Sequence, residues 1–168
     1  RRQIEDLFRD AGPVLDTFFR DLIALKTGAT VPIRNDQIYQ MLKYWVCDIS
    51  YETEDIQSVL ADLLRYARYY PSFKIGRNIN GAIASNLGNV RRLADAPAML
   101  IMKLFALHRE SQTLSESDLI EGISLIESYL LRRAICRLQT RGYWSIFASL
   151  GKGLPPDGTI QDFKVGLS

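Results

Sequence analysis

The sequence predicts an all-α fold, an irregular bundle of about seven helices packed around one long central helix. Two observations carry this. Apolar residues recur at three- and four-residue spacing along nearly the whole chain, and Gly or Pro breaks the pattern at intervals. The long stretch Leu119–Arg141 would span about 34 Å as a helix, enough to cross a domain. Ser115 stands before it as an N-cap, and Glu116 and Asp118 place negative charge in the first turn. Arg132, Arg133, Arg137 and Arg141 gather at the far end, where the helix dipole favours cations. At 100° per residue, Leu119, Ile123, Ile126, Leu130 and Ala134 form one stripe. Leu125, Leu131, Ile135 and Cys136 fall elsewhere, so the helix is apolar on most sides, as a central helix is. Arg133 and Arg137 project on or beside the stripe, and Glu127 lies close to it. Charges so placed require partners, which predicts a structural polar network of Glu127, Arg133 and Arg137.

The other elements follow in order. Ile4, Leu7 and Phe8 begin an amphipathic turn interrupted at Gly12-Pro13. Val14–Lys26 is a helix with Leu15, Phe18, Phe19, Leu22 and Leu25 inward and Gly28 as its C-cap. Asn35 or Asp36 caps a second, reaching about Asp48, with Ile38, Tyr39, Leu42, Trp45 and Val46 apolar. Ser50 caps a third, whose stripe is Ile56, Val59, Leu60, Leu63, Ala67 and Tyr70, and Pro71 ends it. Asn78 or Asn80 begins a short helix holding Ile83, Leu87 and Val90. Asp95 caps Ala96–His108, which is apolar nearly all round and reads as a buried core helix. Trp144–Leu150 forms a last short helix, and Thr159 and Ile160 open a further element. These boundaries make residues 1–150 one helical domain and 151–168 a linker towards a further domain, with Pro155-Pro156 and three glycines within Gly151–Thr159.

Composition narrows the function classes. A chain of 168 residues buries roughly 70% of its unfolded surface, enough for a core. The net charge of +2 does not describe a polybasic nucleic-acid binder. No apolar run is long enough for a membrane span, and no signal peptide opens the chain. Two cysteines without a CxxC pair, Cys47 and Cys136, fit reduced, buried thiols in a cytoplasmic protein. Gly76–Gly81 has the glycine spacing of a phosphate loop, but Ala82-Ile83 stands where Lys-Ser/Thr is required and no strand precedes it. His108 is the only histidine, and neither cysteine has a histidine at interpretable spacing. The residues therefore supply no catalytic, metal-binding or cofactor-binding set, and the expectation is a non-enzymatic segment.

Binding remains. Arg132, Arg137, Arg141 and Lys152, with Arg91-Arg92 nearby, form a candidate surface for phosphates or for another domain. Tyr143 and Trp144 are candidates for stacking on a base or partner side chain. The competing account has Arg132 solvated, Arg133 and Arg137 paired with Glu127 or other carboxylates, and Trp144 in the core. The tyrosines of Arg65–Tyr70 read as a packing stripe.

The runs IESYLLRRAICRLQT (Ile126–Thr140) and IFASL (Ile146–Leu150) resemble a signature of GmrSD-type restriction endonucleases. The segment Phe18–Trp45, with its LKTG turn, resembles that family's first helical hairpin, and Leu60–Tyr70 its next helix. The GYWS loop at Gly142–Ser145 departs from the more polar segment such proteins carry there. The resemblance implies the helical region between a ParB-like nucleotide-hydrolysing (NTPase) domain and a C-terminal HNH nuclease domain. The parent would be a modification-dependent endonuclease acting in phage defence. Neither the Asp-Gly-Gln-Gln-Arg type motif of the first domain nor the histidines of the second occurs here. The implied partners are those two domains, with DNA as an alternative.

Overall fold

A computed structural model describes residues 14–29, 33–45, 56–76, 81–140 and 142–167. Among them lie eight α-helices and no strand, so the chain is all-α and folds as an irregular helical bundle. Helix α1 (Leu15–Thr27) buries Phe18, Leu22 and Leu25 and ends at Gly28. There φ is +65°, and the Gly28 N–H donates to the Ala24 carbonyl at 2.8 Å. A 3₁₀ turn (Asn35–Gln37) leads into α2 (Ile38–Tyr44), whose Ile38 is buried while Tyr39 faces solvent. Expectations for the N-terminal turn, for Val46, Asp48 and Ser50, and for Asn78 and Asn80 fall outside the described residues.

Helix α3 (Ile56–Ile75) runs through Pro71 instead of stopping there. Proline removes one helical hydrogen bond and crowds the preceding turn, at about 3 kcal/mol. The turn beyond it carries Ser72 and Phe73, both buried, and burying one Phe contributes a comparable amount. Tertiary packing thus offsets the local break. Val59, Leu63, Ala67 and Tyr70 lie inside as expected, but Leu60 is exposed.

Helix α4 (Gly81–Leu93) buries Ile83, Leu87 and Val90. In α5 (Ala98–Ala106) every residue except Lys103 is buried, and it packs on α1, α3 and two later helices. It is the helix enclosed on all sides. Pro97, not Asp95, occupies its N-cap, and the Asp95 carboxylate pairs with Lys74 at 2.8 Å. A π turn (Leu107–Ser111) extends it, and His108 Nδ1–H donates to the Leu114 carbonyl at 2.9 Å across the bend that follows.

Helix α6 (Glu116–Ile135) is the long helix, and it ends earlier than its apolar pattern. Ser115 caps it: its Oγ accepts from the Asp118 N–H at 3.1 Å, and the Asp118 carboxylate accepts from the Ser115 N–H at 2.9 Å. Leu119, Ile123, Ile126 and Leu130 are buried, whereas Ala134, Ile135 and Cys136 are exposed. It lies along α4, where the Asn86 amide donates to Ser124 Oγ at 3.2 Å. At Gly122 it comes so close to α5 that an added Cβ would stand 3.2 Å from Leu104 Cδ1.

Helix α7 (Tyr143–Gly153) takes in the first glycines of the expected linker. Helix α8 (Ile160–Leu167) folds back on α6, with Phe163 in the core and Lys164 bridging to Glu121 at 2.8 Å. Leu154 is buried and Thr113 Oγ1 donates to the Gly158 carbonyl at 3.1 Å, so residues 151–167 belong to the same body and not to a free linker.

Candidate functional site

The basic end of α6 is where the sequence places its candidate contacts, and its side chains divide sharply. Arg133 is held. Its guanidinium carbon lies 5.6 Å from the Tyr129 ring centroid and 5.2 Å from that of Tyr143. Its Nη2 donates to the Gln139 carbonyl at 3.2 Å, and Nη1 lies 3.4 Å from the Tyr129 hydroxyl. Arg133 Nε is enclosed without a partner among the described residues. Tyr129 and Tyr143 complete an aromatic trio with Phe147, with centroids 5.9–6.3 Å apart. The guanidinium thus finds two aromatic faces and a backbone carbonyl, and not the carboxylate of Glu127.

Glu127, Arg133 and Arg137 are not brought together. Glu127 lines a recess of about 240 Å³ with Asn89, Arg92, Leu93 and Leu131, on the face that α6 shares with α4. Arg137 lies past the helix end, exposed, with φ of +51°. Its N–H donates to the Ala134 carbonyl at 3.0 Å, so it terminates α6 with a left-handed turn where glycine is usual.

The wider basic surface also disperses. Lys152 Nζ donates to the Thr27 carbonyl at 2.9 Å, at the negative end of α1. Arg91 reaches the Lys74 carbonyl at 3.3 Å, at the end of α3. Trp144 is half-buried against the core, with its indole Nε1 enclosed and without a partner among the described residues. Tyr143 is buried, so its ring offers no free face for stacking on a base. Arg141 lies outside the described residues. Arg132 and Arg137 remain exposed, and Arg132 Nε donates only to the Ser128 carbonyl within its own helix, at 3.3 Å. Beside them stand three exposed apolar side chains: Leu131 (39%), Ile135 (79%) and Leu138 (50%).

The buried polar network lies elsewhere. Asp21 on α1 is 2% exposed, accepts from the Tyr70 hydroxyl at 2.8 Å, and pairs with Arg20 at 3.1 Å. Burial pushes its carboxyl above the usual range, against the opposing pull of Arg20, Tyr70 and Lys74. Asp21 sits on the apolar face of its helix between Phe18 and Leu25, which was the available signal. Nothing in the sequence pointed to Tyr70 as its partner. Among the described residues no three of His, Cys, Asp or Glu gather as metal ligands, and no helix is long and apolar enough to cross a membrane. Compared with family models, curated proteins and solved structures, the chain matches none.

Proposed function

We propose that this chain is the non-catalytic helical part of a GmrSD-type, modification-dependent restriction endonuclease. It acts in the cytoplasm and couples a nucleotide-hydrolysing domain to an HNH nuclease domain in defence against foreign DNA. Two things support this. One is the resemblance of Ile126–Thr140, Ile146–Leu150 and Phe18–Trp45 to that family. The other carries the scaffold role: Leu131, Ile135 and Leu138 stand exposed beside Arg132 at the end of the long helix. Two such neighbours on the last turn of the helix and a third just past its end suit a contact with another domain better than solvent.

In the protein bearing all three domains, Leu131→Glu with Ile135→Glu should reduce nucleotide-stimulated cleavage about tenfold, the equivalent of losing about 1.4 kcal/mol of coupling. Both positions are exposed, so the thermal midpoint should move little. Unchanged cleavage by the double variant rejects the scaffold role.

A second function is DNA binding by the Arg132–Lys152 region, favoured by Arg132 and Arg137, which have no carboxylate partner among the described residues. Two phosphate contacts give a salt slope of only about −2, because each releases roughly 0.9 counterion. Fluorescence anisotropy on modified and unmodified duplexes at two salt concentrations separates the two. Micromolar binding that weakens with salt at a slope of about −2 favours DNA, and no binding at low salt favours the scaffold.

A further inference from the structure

A polar pocket of about 300 Å³ opens between α1, α3 and α5. Lys26 from α1, Asp62 and Arg65 from α3 and Lys103 from α5 line it, with the hydroxyls of Ser58 and Ser111 and the ring of Tyr66. Three cations face one carboxylate, a surplus of two positive charges.

The carboxylate is already occupied. Asp62 pairs with Lys26, and with Arg65 at 3.0 Å. The Lys26 ammonium also lies 5.6 Å from the Tyr66 ring centroid and 5.9 Å from that of Trp45, which fixes it at the wall. Lys103 is different. It is the only charge on the enclosed helix α5, it is half-buried, and no described residue gives it an ion pair or hydrogen bond. Burial first, then Lys26, push its ammonium below the usual lysine range. Burial and Asp62 push the Tyr66 hydroxyl up to about 12, so it stays a neutral donor.

A half-buried cation without a counter-charge is costly, and a folded chain retains one where something else supplies the charge. We propose that this pocket binds one phosphoryl dianion, with Lys103 and Arg65 as its principal ligands and the serine hydroxyls as further donors. Charge and size both fit. A dianion cancels the surplus of two, and a volume equal to about ten waters holds one phosphate with its remaining hydration. A monovalent anion would leave one charge uncompensated. Free phosphate and the phosphate of a nucleotide share this chemistry. The site stands independently of the scaffold role above.

The test follows the thermal midpoint of the purified protein in inorganic phosphate, adenosine monophosphate or chloride, matched for ionic strength. Phosphate at about ten times its dissociation constant should raise the midpoint about 3–6 °C over chloride. An equal rise with the nucleotide assigns the bare phosphoryl group, and a larger one assigns a nucleotide source. Lys103→Met should weaken phosphate binding tenfold or more by calorimetry. Arg65→Gln, at a half-exposed position whose loss the fold tolerates, should do the same. No difference between phosphate and chloride overturns the site. So does undiminished phosphate binding by both variants.

Discussion

The Tyr70 hydroxyl donates a 2.8 Å hydrogen bond to Asp21 Oδ2, and both residues are sealed in the core although 49 positions separate them in the chain. The pair ties α1 to α3. Phe18 packs edge-on against the Tyr70 ring, 5.4 Å between centroids, and shields the bond from water.

Tyr70→Phe removes the donor and leaves Arg20 as the remaining hydrogen-bond partner of the Asp21 carboxylate among the described residues. A loss of about 1–3 kcal/mol in urea unfolding is expected. A loss below about 0.5 kcal/mol would mean that the bond contributes little.

Asp21 also sets a pH dependence. Its carboxyl is raised in the folded state by burial, so its contribution is fully present below the unfolded value near 3.8 and is lost as pH rises through the folded value. Asp21→Asn lacks this titration. The variant should therefore gain stability relative to the parent as pH rises from about 4 to 8, measured by chemical denaturation across that range.

Arg133 and Arg137 are four residues apart and should behave oppositely. Arg133→Ala removes contacts to two rings and a carbonyl, and should cost about 1–2 kcal/mol. Arg137→Gly relieves a side chain held at positive φ, and should stabilise the chain by up to about 1 kcal/mol. Equal losses at the two sites would show that α6 continues beyond Ile135.

Gly28 combines positive φ with a close neighbour, the Lys152 side chain, at the position a Cβ would take. Gly28→Ala should cost about 1–2 kcal/mol in thermal unfolding. Shortening Lys152 to Ala in the same chain should recover only the crowding and not the backbone strain.

Ser115→Ala removes the cap of α6 and should cost about 1 kcal/mol at neutral pH. The Ser115 bonds hold the Asp118 carboxyl below its ordinary range. A depressed carboxyl contributes stability above the unfolded value near 3.8, and that contribution is lost as pH falls. The deficit of the variant should therefore shrink below about pH 4, and a deficit that grows in acid would contradict the cap.

Most elements are legible in the sequence because their signals are local. Gly28 ends α1, Ser115 begins α6, and the stripes of Ile83, Leu87 and Val90 and of Leu119, Ile123, Ile126 and Leu130 face inward as their periodicity requires. The errors arise where periodicity meets competition. Ile135 and Cys136 make the helix apolar beyond its main stripe, yet α6 ends at Ile135 and both stand exposed. Leu60 and Tyr39 fit their stripes but are covered by no neighbour among the described residues.

The candidate contacts at the end of α6 were less legible, because a cation's partner is chosen in space. Lys152 meets the carbonyl of Thr27, 125 residues away, and Arg133 finds the ring of Tyr143, which is not on its helix. The sequence by itself determined an all-helical chain, its caps and most of its buried stripes, because hydrogen bonding within a turn and side-chain spacing are local. Only the tertiary structure decided that α5 is the enclosed helix, that α3 runs through Pro71, and that residues 151–167 rejoin the core at Phe163. Each of those outcomes depends on apolar area buried between segments far apart in the chain, a quantity that no local pattern contains.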